Sequence, residues 1–126
     1  LPCPGPDLTL HGNDREPEAI RAAAANLARA GLRERTQLST GDAFAFTPPS
    51  GPGLVLVNPP YGERLAEEPT QWRRLGDLLK QRFRGWKAAV LAGDAGLGKH
   101  LGLRPRRRLP VRNGPLPMRI LLLDLY

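Results

Sequence analysis

The chain has 126 residues, 40% of them hydrophobic, which suffices for one soluble domain or part of one, and its apolar runs are far shorter than the roughly 20 residues that span a membrane. Cys3 is the only cysteine and His11 and His100 stand far apart, which argues against an internal disulfide, a metal site or a histidine-centred triad and fits a reducing cytoplasm. Nineteen Lys and Arg against twelve Asp and Glu give a net charge of +7, which favours a polyanionic partner such as nucleic acid.

The first half of the chain predicts alternating strands and one helix. The helix is expected to begin near Pro17 and to end at Gly31, because proline is favoured in a first turn and glycine after a last one. The continuously apolar third strand is expected to be buried on both faces of a parallel sheet. In chain order, the elements are a strand at 8–12, a helix at 16–30, strands Thr36–Thr40 and Leu54–Val57, and a loop at 47–53 between these two strands.

The second half predicts a helix followed by further strands. The apolar residues of this helix recur at helical spacing, so one face should pack on the sheet. Asn113, Gly114 and Pro115 form a turn signal between the last two strands, which predicts a terminal antiparallel hairpin. The elements are a helix at 71–84, a strand at 87–92, a short helix at Leu97–Leu101, a basic loop at 104–108, and strands at 109–112 and 118–125.

Strands that alternate with helices predict an α/β fold. Such chains build a mostly parallel sheet with helices on both faces, and an antiparallel pair at its end is compatible with that class.

The strongest chemical signal is Asn58-Pro59-Pro60-Tyr61, placed directly after a buried strand, where open α/β sheets bind their ligands. The Asn58 side-chain oxygen and the Pro59 carbonyl can both accept hydrogen bonds from an exocyclic amine, and the prolines stiffen the turn. Tyr61 offers a ring on which a base can stack. The structural alternative is a proline-rich turn that the asparagine caps. The position of the tetrapeptide directly after Leu54–Val57 favours the functional interpretation.

The segment from Asn58 to Leu65 resembles the catalytic motif of the bacterial 23S ribosomal RNA guanine-N2 methyltransferases, which carry an RNA-binding THUMP domain ahead of the catalytic domain. Gly62-Glu63-Arg64-Leu65 makes the resemblance more specific than the tetrapeptide alone. Two further segments match, namely Gly12-Asn13-Asp14 with its helix and Asn113-Gly114-Pro115-Leu116. The resemblance covers residues 8–125 and implies a Rossmann-like class I methyltransferase fold with S-adenosyl-L-methionine as cofactor.

The resemblance also implies roles for single residues. Asp14 is expected to bind the cofactor ribose hydroxyls, Asp42 the adenine amino group, and the Ala43 backbone to lie near it. Arg15 would lie beside the adenine, and Asn58 would touch both cofactor and substrate. Ordinary alternatives remain open for each: a helix-start aspartate for Asp14, a turn aspartate for Asp42 and a solvated arginine for Arg15.

One part of the resembling fold has no counterpart in the chain. Class I methyltransferases open with a strand and a Gly-rich loop, and residues 1–7, with three prolines, form a poor strand. Residues 1–7 are thus expected to be an irregular lead-in, and residues 8–126 the C-terminal part of a single catalytic domain that is inactive without the upstream strand and loop.

Three competing interpretations remain. Gly93 to Lys99 fits the phosphate-binding G-x-x-x-x-G-K pattern after a strand, but His100 replaces the Ser or Thr that would hold magnesium. The same tetrapeptide serves adenine-N6 methylation of DNA or RNA, and glutamine methylation in proteins. The third interpretation is a non-catalytic RNA-binding fragment whose arginines contact phosphates. The ordinary alternative, that the same arginines are merely solvated, is equally open. They are Arg64, Arg104, Arg106, Arg107, Arg108 and Arg112.

Overall fold

The computed structural model describes residues 8–59, 69–93 and 97–126. The chain divides into two compact units, residues Leu1–Phe46 and Thr47–Tyr126, which we call unit 1 and unit 2. Each has its own sheet, a parallel pair in unit 1 and four strands in unit 2. The predicted α/β class is confirmed, while the single catalytic domain stays a prediction.

Unit 1 is a strand, a helix and a second strand that runs parallel to the first. The strands pair in register from Leu10 opposite Thr36 to Asp14 opposite Thr40. Pro17 occupies the start of the helix, and Gly31 follows its end with a φ of 74°, which favours glycine. The elements are β1 (Leu10–Asp14), α1 (Pro17–Arg29) and β2 (Thr36–Thr40), with short 3-10 turns at Arg33–Arg35 and Ala43–Ala45.

Unit 2 is a mixed four-stranded sheet in which β3 runs parallel to β4 and the terminal hairpin adds two antiparallel pairs. The strand order is β3-β4-β6-β5, so β6 lies inside the sheet and β5 at its edge. The predicted hairpin is confirmed, and Gly114, with a φ of 62°, supplies its turn. The elements are β3 (Leu54–Val57), α2 (Pro69–Arg82), β4 (Lys87–Gly93), a 3-10 helix (Leu97–Leu101), β5 (Arg107–Asn113) and β6 (Leu116–Asp124).

The core of unit 2 forms between α2 and one face of the sheet. Ala88, Val90 and Ala92 of β4 are buried, as are Leu123 and Leu121 of β6 opposite the first two, so these residues share a single face. Each large apolar side chain removed from water stabilises the fold by about 1.5–3 kcal/mol. The buried apolar residues are Trp72, Leu75, Leu79 and Phe83 on or next to α2, Ala88, Val90 and Ala92 on β4, Leu101, Met118, Leu121, Leu123 and Leu125.

Two close approaches fix the elements around this core. Gly76, inside α2, lies against the Leu101 carbonyl group, so α2 and the 3-10 helix pack backbone to backbone. Gly51 and Gly53 lie against the Trp86 indole, whose ring meets the Phe83 ring edge-on at 5.2 Å between centroids. The chain that leads into β3 is therefore held by an aromatic pair at the end of α2.

The expectation that Leu54–Val57 is buried on both faces is wrong. Val55 and Val57 lie opposite the buried Ala88 and Val90, but the Leu54 and Leu56 side chains are 59% and 73% exposed. The reason is that no described helix of unit 2 covers the face that carries these two side chains; β3 is also an edge strand, since it pairs only with β4 in the described sheet. Within the described part of unit 2, helices lie over only one face of the sheet, so the expected second helical layer is not seen there.

Candidate functional site

Two aspartates stand at the carboxyl edge of the parallel pair in unit 1. Asp14 is the last residue of β1, and Asp42 follows β2 by two residues; both side chains are exposed. The Gly41 amide donates to the Asp14 carbonyl oxygen at 2.9 Å, which extends the pairing into the loop that carries Asp42. The structure thus brings Asp14 and Asp42 to the same edge, where parallel sheets bind ligands.

Each aspartate uses one carboxylate oxygen to fix its own turn. The Asp14 Oδ1 accepts from the Glu16 amide at 2.8 Å, and the Asp42 Oδ1 accepts from the Phe44 amide at 3.0 Å. Within residues 8–59, 69–93 and 97–126, neither Oδ2 accepts a hydrogen bond. Each aspartate therefore has a local structural role in its own turn. Its second carboxylate oxygen is held in a fixed orientation and can accept a hydrogen bond from a hydroxyl or an amine.

Asn13 joins the two strand ends through its carboxamide. Its Nδ2 donates to the Gly41 carbonyl at 3.1 Å, and its Oδ1 accepts from the Ser39 hydroxyl at 2.7 Å. These bonds satisfy both ends of a half-buried amide and hold the loop before Asp42 against β1. Sequence reasoning quoted Asn13 in a motif but missed this role, because its partners lie 26 and 28 residues away.

The other cofactor candidates of unit 1 make few contacts. Arg15 is exposed between β1 and α1, and Ala43 is the exposed first residue of a 3-10 turn that Asp42 caps. The Ala43 backbone therefore stands directly beside the Asp42 carboxylate, and its place near an adenine stays a prediction.

The amine-binding candidates stand in unit 2 at the end of β3. Asn58 follows the last residue of the strand and is exposed, and Pro59 is half-buried. An exposed carboxamide at a strand's carboxyl end can present its oxygen to an incoming amine. Pro60, Tyr61 and Arg64 lie outside the described residues.

The arginines of the basic segment 104–108 differ in their surroundings. Arg104 is exposed ahead of β5, while Arg106 forms an ion pair with Asp124 at 3.5 Å. Arg107 and Arg108 are exposed and belong to β5, so the predicted basic loop is partly a strand. Edge strands tolerate such charges, because one of their sides faces water.

The phosphate-loop pattern lacks the helix that it needs. Gly93 ends β4, but Leu97–Leu101 is a five-residue 3-10 helix and Gly102 follows it with a φ of 68°. A phosphate cradle requires the N-terminus of a longer α-helix. Among the described residues, no group of His, Cys, Asp and Glu could hold a metal ion. No helix in the same ranges is long and apolar enough to cross a bilayer.

The residues at the edge of unit 1 fit the adenosine end of S-adenosylmethionine. A ribose presents hydroxyl donors and adenine presents an amino group, and the Oδ2 atoms of Asp14 and Asp42 are acceptors for such groups. Both carboxylates are already oriented by the backbone, so little freedom would be lost on binding.

Comparison with known proteins identifies relatives along most of the chain. Residues 5–121 match the RMKL-like methyltransferase domain family. The ribosomal RNA large subunit methyltransferase K/L of Chromohalobacter salexigens is 42% identical over 120 residues, which are 90% of this chain and 16% of that protein. The protein of the same name from Hahella chejuensis is 41% identical over 123 residues, which are 93% of this chain and 17% of that one.

Solved structures agree on the fold. The crystal structure of SMU.472 in complex with S-adenosylhomocysteine has a TM-score of 0.81 at 21% identity and covers 93% of this chain and 32% of its own. TrmN from Thermus thermophilus has a TM-score of 0.73 at 21% identity, covering 97% of this chain and 38% of its own. S-adenosylhomocysteine is the demethylated form of S-adenosyl-L-methionine, the cofactor predicted from the sequence. The predicted methyltransferase fold is confirmed. The chain spans about one sixth of the length of these two curated relatives, and it belongs to the RMKL-like methyltransferase domain family.

Proposed function

We propose that the chain is part of an S-adenosylmethionine-dependent methyltransferase that methylates the exocyclic N2 amine of a guanine in large-subunit ribosomal RNA. The observation that carries the proposal is the pair of exposed aspartates at the carboxyl edge of β1 and β2, each held by a backbone amide. In this proposal Asp14 accepts from the ribose hydroxyls and Asp42 from the adenine amino group. The Ala43 backbone and Arg15 line the adenine.

The acceptor amine would be held at the end of β3. The Asn58 Oδ1 and the Pro59 carbonyl oxygen accept hydrogen bonds from the amine, which orients its lone pair, and Tyr61 stacks on the flipped base. Asn58 also borders the donor methyl group. The amine nitrogen attacks the methyl carbon in line, the carbon–sulfur bond breaks with its electrons on sulfur, and the amine proton leaves to solvent. Orientation supplies most of the rate, so no strong general base is needed.

Ribosomal RNA is the substrate that the names of the relatives favour, and the guanine base is inferred from the motif of Asn58 to Leu65. Two of them are named ribosomal RNA large subunit methyltransferases, and a net charge of +7 suits an RNA partner. Adenine-N6 methylation is the less favoured alternative. The family match supports an enzyme rather than a non-catalytic RNA-binding fragment, and a cytoplasmic location follows from the ribosomal substrate.

We also propose that upstream sequence of the same enzyme completes the sheet beside β3. The free edge of β3 has four apolar residues and no charge, although exposed strand edges are normally blunted by charge or proline. The two ribosomal RNA methyltransferases named above are about six times longer than this chain, so they have ample sequence for a strand, a Gly-rich loop and a THUMP domain.

The proposal is tested by calorimetric titration of S-adenosylhomocysteine into this chain and into a version extended upstream. We expect binding only by the extended version. In the extended version, Asp14→Ala should weaken binding ~10-fold or more, because hydrogen bonds to a charged acceptor contribute about 1.5–3 kcal/mol. Thr40→Ala, at the matching end of β2, is the control and should bind normally.

The transfer step is tested with Asn58→Ala in the extended protein. This variant should keep its cofactor affinity to within a few-fold and its fold, since Asn58 is exposed, yet lose methyl transfer to ribosomal RNA. Binding of S-adenosylhomocysteine by neither version would refute the cofactor site. Normal turnover by the Asn58 variant would remove that residue from the mechanism.

A further inference from the structure

Positive charge is concentrated in one of the two units. Unit 2, residues 47–126, has 14 Lys and Arg and 6 Asp and Glu, whereas unit 1, residues 1–46, has 5 and 6. The net charge of the chain therefore comes from unit 2. A polyanion would be drawn to that unit.

The terminal hairpin sorts its arginines onto opposite faces of the sheet. Arg108 and Arg112 have the same parity on β5 and therefore share one face, while Arg107 points to the other. Arg119 of β6 lies opposite Pro110, midway between Arg108 and Arg112, on their face. This is the face on which Leu121 of β6 is buried, but Arg108, Arg112 and Arg119 are themselves exposed on it. We call these three residues the arginine face.

The spacing of this face suits an extended anion better than a single one. Arg108 and Arg112 are four residues apart on a strand, which separates their Cα atoms by about 14 Å. Arg119 lies one strand across, about 5 Å from Pro110. The two outer guanidinium groups, of Arg108 and Arg112, are spaced so that they can reach different phosphates of one backbone, and each can bind a phosphate through two N–H donors.

No carboxylate in the part of the chain that the structure describes forms an ion pair with the outer arginines of this face. Arg106 has Asp124 as its partner at 3.5 Å, but Arg108 and Arg112 are exposed and form no ion pair with a described carboxylate. The only acidic residues of unit 2 that the structure describes are Asp77 and Asp124. The arginines and Pro110 of β5 also discourage further strand pairing at this edge of the sheet. That role would not require the arginines to lie on one face.

We propose that the arginine face binds the sugar-phosphate backbone of the RNA substrate. The inference rests on the proposed function, and it names the surface that receives the nucleic acid outside the catalytic residues. It assigns Arg108 and Arg112 as phosphate contacts and excludes Arg106 and Arg107, which the sequence alone grouped with them. Such contacts position RNA without reading its sequence.

The test compares two double variants of the full-length protein that remove equal charge from opposite faces. Arg108→Gln with Arg112→Gln alters the arginine face. Lys87→Gln with Arg107→Gln is the matched control, because both residues lie on the other face of the sheet and are exposed. Binding of a fluorescently labelled single-stranded RNA from the large subunit is measured by anisotropy across a salt series.

We expect the arginine-face variant to bind RNA ~10-fold or more weakly at low salt. The slope of log affinity against log salt should fall by about 1.4, since each phosphate contact on a single strand contributes about 0.7. KM for RNA should rise with kcat nearly unchanged. The control variant should change each quantity much less.

Equal losses in the two variants, or unchanged RNA affinity in the first, would overturn the proposal. S-adenosylhomocysteine titration separates its failure from that of the proposed function. Cofactor binding with no effect of the arginine-face variant refutes only this inference. Lack of cofactor binding with a selective loss of RNA affinity refutes the enzyme but supports the surface.

Discussion

Gly76 shows how a single hydrogen atom can be required where helix propensity favours a methyl group. Alanine in a helix interior is ordinarily about 1 kcal/mol more stable than glycine. At Gly76, however, a Cβ would lie 2.7 Å from the Leu101 carbonyl carbon, and closer still to its oxygen. Neither helix backbone can yield without disturbing the core around Leu79 and Leu101, which are each 1% exposed.

Gly76→Ala should therefore lower the free energy of unfolding by about 2 kcal/mol, the cost of overpacking, rather than raise it. Urea unfolding measures the change. Gly93→Ala is the control, since a Cβ there would meet nothing within 4 Å and its φ is not positive. A stabilised Gly76 variant would show that the two helices separate easily.

The site residues differ in how far sequence could predict them. Asp14 and Asp42 follow strands in the sequence, and the structure brings them to one edge, though their roles toward the cofactor stay predictions. Asn13 could not be assigned a role, because its function depends on which strand pairs with β1 and in what register. Local patterns predict where a strand ends but not what lies across it.

The two edges of the four-stranded sheet have opposite chemistry. β5 carries Arg108, Pro110 and Arg112, which discourage further pairing, whereas β3 carries only Leu and Val. Leu56 is 73% exposed in the chain but would be buried if upstream sequence covered this edge and its face. A charge at Leu56 should therefore have different effects in the short and extended proteins.

Leu56→Glu should change the unfolding free energy of this chain by less than about 0.5 kcal/mol, as exposed substitutions usually do. In the upstream-extended protein it should cost about 3 kcal/mol or more, because an unpaired carboxylate would be buried. Leu116→Glu, at a residue 53% exposed at the start of β6, should be tolerated in both. Equal effects of Leu56→Glu in the two proteins would contradict the proposed pairing.

Sequence patterns predicted regular elements well and irregular ones less well. β2 and β3 have the predicted bounds, and β4 is one residue longer than predicted. β5 and β6 begin earlier than predicted, because their first residues include arginine and proline, which are typical of loops. Such residues are tolerated there, since β5 is an edge strand and Pro117 of β6 lies beyond its last pair with β4. The exposed face of β3 was predicted wrongly, because an apolar run does not reveal whether a layer covers each face of the strand.

At the scale of the whole molecule, the buried core belongs to one unit. Every buried apolar residue in the described ranges lies between Trp72 and Leu125, whereas unit 1 buries only Thr36, at 8% exposure. The parallel pair of unit 1 is covered on one side by an alanine-rich helix that has no buried residue. Unit 1 should therefore open more readily than unit 2.

Hydrogen exchange followed by mass spectrometry should find β4 and β6 amides at least ~100-fold more protected than those of β1, β2 and α1. Cofactor binding by the extended protein should raise protection at the carboxyl ends of β1 and β2. Matching protection in the two units of the chain alone would show that they unfold together, and would contradict this difference in local stability.

The placement of the aromatic residues decides what optical methods can detect. Trp72 packs into the core from α2, and Trp86 meets Phe83 edge-on, so both tryptophans report on unit 2. Unit 1 has neither tryptophan nor tyrosine. Intrinsic tryptophan fluorescence will therefore report directly on unit 2, while the unit that carries Asp14 and Asp42 has no tryptophan of its own. A tryptophan introduced at Phe44, beside Asp42, would make that loop visible and give ligand titrations a direct signal.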